Sequence, residues 1–177
     1  MKTHSGMRPQ DIVVLLKIVS KKNSPWLMKE LASELMISPS EISESINRSM
    51  IAGLISQDKQ TVNKLSLLDF LRYGLRYVYP QWPGGLTRGF PTAHSAPPLN
   101  DLILSDEINV WPHENGKVRG QAIGPLYPKL PDACVNNPEF YQYMSLLDAI
   151  RTGKTRERRI AFELLKKKID NVEEPND

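Results

Sequence analysis

A chain of 177 residues, 40% of them hydrophobic, is long enough to bury a core as one domain or two small ones. Its formal charge of +3 and pI near 8.9 are compatible with a nucleic-acid partner without requiring one. The lone Cys134 excludes an internal disulfide framework and a thiolate metal cluster, and points to a reducing cytoplasm. No apolar run is long enough to span a membrane, and the N-terminus lacks the apolar stretch of a secretion signal.

Residues 1–8, with Lys2, His4 and Arg8, read as a flexible leader. A helix is expected from Pro9 to Val19, where Ile12, Leu15, Leu16 and Val19 form one stripe. Ser24-Pro25 then breaks the chain. The stretch Met28 to Leu54 carries the most specific pattern. Leu31 and Leu35 lie one helical turn apart, with the small Ala32 beside them where a second helix can cross. Ile37 falls in a turn, and Ile42, Ile46 and Met50 repeat every fourth position as the inner stripe of the next helix. Ser38 suits its N-cap, Pro39 its first position and Glu41 a capping box. Gly53 ends the helix after Ala52, and Leu54-Ile55 open an extended segment. An ordinary helical hairpin is the alternative reading.

Leu31-Ala32, Ile37-Ser38, Ile42, Ile46 and Ala52-Gly53-Leu54-Ile55 together resemble the winged helix-turn-helix regulators of prokaryotes, the MarR-type and related repressors, over residues 9–65. The resemblance implies a recognition helix at 39–50 that enters the major groove and a β-hairpin wing at 56–64 that touches the DNA backbone. Its DNA contacts would come from Ser38, Ser40, Ser43, Asn47 and Arg48, with Asn matched to adenine and Arg to guanine. Lys29, Lys59 and Lys64 would supply attraction to the phosphates. Ser49 departs from the family pattern, which has an apolar residue there. Glu41 and Glu44 stand against a single Arg48 on the same helix, which a polyanion would not favour.

Residues 66–79, SLLDFLRYGLRYVY, read as a helix with Ser66 and Asp69 as cap residues. It is apolar over most of its girth through Leu67, Leu68, Phe70, Leu71, Leu75 and Val78. Such a helix is expected to be buried against the C-terminal half or a second subunit, so a homodimer reading a palindromic site is expected.

Ten of the fourteen prolines fall between Pro80 and Pro138. Residues 80–136 are therefore read as an extended arm packed on another surface through Trp82, Leu86, Phe90, Leu99, Leu102, Ile103 and Leu104. Within it, Ile108–Trp111 and Lys117–Arg119 flank Glu114-Asn115-Gly116, a hairpin signal weakened by Pro112. It reads as a second hairpin or a small effector cup.

A helical pair is expected over residues 137–170. Asn137 caps and Pro138 opens its first helix, with Phe140, Met144, Leu147 and Ile150 as the stripe and Gly153 as the stop. The second helix, Thr155–Ile169, carries Ala161, Leu164 and Leu165 on one side. Lys154, Arg156, Arg158, Arg159, Lys166, Lys167 and Lys168 lie on the others, either along phosphates or as a solvated face paired with Glu157 and Glu163. Residues 171–177 read as an acidic frayed tail.

The fold expected is mainly α with a small β component. It comprises a winged helix-turn-helix domain over residues 9–79, the arm with its hairpin, and the C-terminal pair. There is no phosphate-binding loop, dinucleotide glycine pattern or nucleophile elbow. His94 near Thr92, Ser95 and Asp101 is a weak constellation, and His113-Glu114 is a poor metal pair. No enzyme activity, cofactor or metal is expected. Two functions remain open: a cytoplasmic DNA-binding regulator, with a protein partner on its C-terminal half, or a winged-helix adaptor or antitoxin-like module that does not bind DNA.

Overall fold

The computed structural model describes residues 5–171, so Lys2, His4 and most of the acidic tail lie outside the described residues. Helix α1 runs from Pro9 to Ser20, α2 from Met28 to Leu35, α3 from Pro39 to Ile51, α4 from Lys64 to Tyr73 and α5 from Leu75 to Val78. Strands β1 (Leu86–Pro91), β2 (Asn109–Pro112) and β3 (Val118–Ala122) follow, with two single 3₁₀ turns between β1 and β2. Helices α6 (Leu130–Val135), α7 (Pro138–Thr152) and α8 (Thr155–Asp170) complete the described chain. The molecule is mixed α and β, as expected, and among the described residues no helix is long and apolar enough to cross a membrane.

Helix α1 forms where the sequence places it, but it is buried far beyond one stripe. Ile12 to Leu16 are all at most 1% exposed. The reason is its central position: α2, α3, α7 and α8 all pack on it. One hydrophobic core therefore runs through both halves of the chain, from Leu31 and Ile46 to Leu147 and Leu165. Arg8 is not loose leader: its amide donates to Asp11 at 2.8 Å, capping α1.

The turn between α2 and α3 spans three residues. Met36 takes a left-handed conformation (φ 56°), and its neighbour Ile37 donates back to the Ala32 carbonyl, closing the end of α2. Gly53, at φ +77°, turns the chain out of α3 with open space where a Cβ would stand. Beyond it Ile55 and Val62 form one antiparallel bridge, flanked by hydrogen bonds from Ser56 to Thr61 and from Asn63 to Leu54. This is a minimal β-pair, and Lys64 is not part of it: it opens α4.

The helix expected at 66–79 starts two residues earlier and breaks at Gly74, where the Phe70 ring would lie 2.9 Å from an added Cβ. It is also buried on one side only. Leu67, Leu68, Leu71 and Leu75 face α7 and α8, whereas Leu65, Tyr73, Tyr77 and Val78 are exposed.

The arm corrects two further expectations. Trp82, Leu86, Leu102 and Leu104 are exposed rather than packed, Leu104 at 98%, while Leu99 is buried and Phe90 and Ile103 half-buried. Moreover, β2 and β3 do not form a hairpin across Asn115-Gly116. β1 pairs antiparallel with both, through Phe90–Trp111 and Thr87–Gly120, and Asn109–Val110 run parallel to Gln121–Ala122 to close a three-stranded ring. Glycines make so tight a ring feasible. A Cβ on Gly89 would sit 1.9 Å from the Trp111 carbonyl oxygen, and one on Gly116 2.3 Å from the Gly89 Cα.

Asp148 on α7 fastens this ring to the helices. Its carboxylate accepts from the Trp111 indole N–H at 2.6 Å, Thr92 Oγ1 at 2.8 Å and the Arg151 guanidinium at 2.8 Å. Arg151 also donates to the Tyr79 carbonyl, tying down the exit of α5. All of the side chains around Asp148 are buried, and each polar atom that meets it finds a partner there.

Candidate functional site

The α2–turn–α3 unit carries most of the side chains expected to act. Ser38 caps α3, accepting from the Glu41 amide at 3.2 Å, and its hydroxyl also meets that of Ser40 at 3.2 Å. The reciprocal half of the expected capping box is missing, because the Glu41 carboxylate is engaged elsewhere. It accepts from Gln10 at 2.6 Å, Arg48 at 2.6 Å and Arg8 at 3.2 Å.

Arg48 is the principal correction among the site residues. It was expected to face a duplex, but its side chain is 7% exposed and points inward to α1. Its Nε and one terminal nitrogen grip the two oxygens of Asp11 at 2.8 and 2.7 Å, a bidentate pair, and that nitrogen also reaches Glu41. Asp11 is fully buried. The hydrogen bond with Asp11 raises Arg48 above its ordinary value against the opposing effect of burial, and Glu41 adds to the rise, so the guanidinium stays charged. The arginine thus clamps α3 to the first turn of α1, its single positive charge shared between the two carboxylates. The Tyr79 phenol, also without a hydrogen-bond partner among the described residues, is pushed up to about 12 by burial and then by Asp11.

With Arg48 removed from the surface, the outer edge of α3 consists of exposed Ser40 and Glu44, half-buried Ser43 and Asn47, and Ile51 at its end. Ser40, Ser43 and Asn47 recur at three- and four-residue spacing and so share one face. Ser43 and Asn47 have no side-chain hydrogen-bond partner among the described residues, whereas Ser45 and Ser49 are buried on the opposite side with unpaired hydroxyls. Ser49 therefore occupies the apolar position of the pattern without satisfying its polar atom.

The lysines are spread over three elements. Lys29 is exposed in the first turn of α2, and Lys59 sits at the tip of the loop between Ile55 and Val62 with φ 60°. Lys64 opens α4 and lines a cleft of about 320 Å³ with Val19, Pro25, Trp26 and Val62. The loop tip is not purely basic either. Asp58 accepts from the Ser56 hydroxyl and the Gln60 amide, which hold its carboxyl below the usual range.

Across α2, Glu34 bridges Lys17 at 3.0 Å and Lys21 at 2.9 Å. Burial alone would raise the Glu34 carboxyl, but the hydrogen bonds from Lys21 and Lys17 outweigh it and hold the group below its ordinary value. Lys17 is itself 4% exposed and stacks over the Phe140 ring at 4.6 Å, so this network links α2 through α1 to α7.

The histidines that stood out in the sequence are structural in their contacts. His94 is buried, bonding the Glu107 carbonyl at 2.8 Å through Nε2, with Glu157 4.0 Å from Nδ1. Thr92 is committed to Asp148, and the Ser95 hydroxyl accepts from the Asn109 amide. His113 bonds Asp132 at 2.9 Å and packs on Phe90. Burial pushes the Cys134 thiol well above its ordinary value, so it is not a ready nucleophile. No group of three or more potential metal ligands converges among the described residues.

The signal for the Arg48 clamp was present in the sequence only as Asp11 in the first turn of α1; nothing local connects it to a residue 37 positions away. Compared with known protein families, with curated proteins and with solved structures, the chain matches none of them.

Proposed function

We propose that the protein is a cytoplasmic DNA-binding regulator of winged helix-turn-helix type, in which α3 enters the major groove and the loop between Ile55 and Val62 acts as the wing. The observation that carries this reading is the polar edge Ser40–Ser43–Asn47. It lies on a helix held against α1 by the Arg48–Asp11 pair, and the side chains of Ser43 and Asn47 have no hydrogen-bond partner among the described residues. Short hydrogen-bonding side chains on one face suit readout of base edges, Asn47 being matched to adenine. Arg8 and Arg48 offset the charge of Glu41 and Gln10 donates a hydrogen bond to it, which leaves Glu44 as the carboxylate of the helix without a partner among the described residues and lowers the repulsion a duplex would meet. Lys29 in the first turn of α2 and Lys59 in the loop would supply phosphate contacts.

The exposed side chains Leu65, Tyr73, Tyr77 and Val78 on α4–α5 supply the surface for a second copy, and a two-fold dimer would read a palindromic site. Fluorescence anisotropy of a labelled duplex library at about 50 and about 200 mM salt tests the reading. Bound fraction should fall steeply with salt and favour a subset of sequences. Absence of binding at the lower salt would reject it.

A second reading is favoured by one specific observation: with Arg48 buried, Glu44 is the only exposed charge on α3, and Met36 and Ile51 beside it are each about half-exposed. That surface suits a protein partner with a basic, apolar face. Retrieval of such a partner together with failure to bind any duplex would support it.

A further inference from the structure

Four arginines line one cleft that α3 does not touch. It lies between α4–α5 and α8, has a volume of about 190 Å³, and is lined by Arg72, Arg76, Arg158, Arg159, Thr155 and Glu163 above a floor of Ile150 and Phe162. Ile150 and Phe162 are at most 8% exposed, so the base of the cleft is fixed by packing and offers only a narrow apolar strip. Arg72 lies over the Phe162 ring at 5.3 Å, and Arg158 is held by the Gly153 carbonyl at 3.1 Å and the Thr155 hydroxyl at 3.5 Å. None of the four guanidinium groups has a carboxylate within 4 Å among the described residues, and Glu163 is the one acid in the lining.

Gathering four like charges beside an apolar wall costs the folded state energy unless an anion offsets it. A carboxylate, with two oxygens and one charge, cannot use so many donors. A phosphate monoester has three terminal oxygens and nearly two charges, which suits arginine forks. A concave, apolar-floored site of this size also fits a small molecule better than the convex ridge of a duplex backbone.

We propose that this cleft binds a small organic phosphate, its phosphoryl oxygens held by Arg72, Arg76, Arg158 and Arg159 and its organic part resting on Ile150 and Phe162. The site does not depend on the DNA-binding reading, because it uses neither α3 nor the wing loop. In a regulator it would be the place where a metabolite signal enters.

Calorimetric titration of the full chain with phenyl phosphate tests the proposal, with inorganic phosphate as the comparison. Saturable binding with a Kd of about 1 mM or tighter is expected, stronger than for inorganic phosphate because the ring meets the floor. Arg76→Gln with Arg159→Gln, half-buried and exposed respectively, should weaken it by about tenfold or more. Lys117→Gln with Arg119→Gln, on the distant β3 side, should leave it unchanged. Should the first pair unfold the chain, Arg158→Gln alone takes its place with the same expected loss. Three outcomes each overturn the proposal: no saturation, equal weakening by the β3 pair, or displacement of phenyl phosphate by a short duplex, which would make the arginines a nucleic-acid contact.

Discussion

Replacing Arg48 by methionine separates its two possible roles. As a clamp, Arg48 makes three hydrogen bonds of 2.6 to 2.8 Å to Asp11 and Glu41. Methionine fills most of its volume but leaves the fully buried Asp11 carboxylate with only the Arg8 amide at its oxygens. Breaking a buried ion pair from one side costs about 3–5 kcal/mol. A domain of this size has about 5–15 kcal/mol in total, and each kcal/mol moves Tm by about 2–4 °C, so Tm should fall by about 6–20 °C. Asp11→Asn in the same chain removes the stranded charge. The double variant should therefore be more stable than additivity predicts by about 2 kcal/mol or more. Urea unfolding followed by circular dichroism, on the two single variants and the double, reads both quantities. A loss under about 1 kcal/mol for Arg48→Met, or strict additivity, would refute the clamp and return Arg48 to the surface.

Other expectations follow from individual contacts. Glu34 has a depressed folded-state value, so the stability it adds is present above its ordinary 4.5 and is lost as pH falls through the lower folded value. Urea midpoints of wild type and Glu34→Gln should differ at pH 7 and converge below that window; a constant difference down to acid pH would remove the Lys17 and Lys21 contacts as the cause. Ser49→Ala deletes a buried hydroxyl without a partner, so stability should hold or rise by up to about 1 kcal/mol in thermal unfolding, and a clear drop would mean the hydroxyl is bonded. Gly89→Ala should cost about 2 kcal/mol or more, since its Cβ would collide with the Trp111 backbone. An unchanged urea midpoint for that variant would mean that the ring of β1, β2 and β3 is not closed as described.

Short-range chemistry made much of the helical frame legible. Pro9, Ser38-Pro39, Gly53 and Asn137-Pro138 mark helix ends that the structure reproduces within about two residues, because caps and stops act over one turn. What stayed hidden is set by distant partners. The inward turn of Arg48 depends on Asp11, the ring of strands on glycines far apart in sequence, and the anchoring of Trp111 on Asp148. The proline-rich segment misled in a different way: its punctuation marks turns correctly, but it cannot tell that Leu99 is buried while Leu104 is bare. The arginine cleft escaped notice for the same reason, since Arg72 and Arg76 meet Arg158 and Arg159 only after α4 docks on α8. Sequence spacing reveals faces of single helices; it does not reveal which faces meet.

The most direct measurement is selection of bound sequences from a random duplex pool by the wild-type chain and by the Ser40→Ala, Asn47→Ala double variant, neither residue belonging to the core. The wild type should enrich a palindromic motif, and the variant should fold normally yet lose preference at part of that motif. The same motif recovered by both proteins, or no enrichment by either, would contradict it.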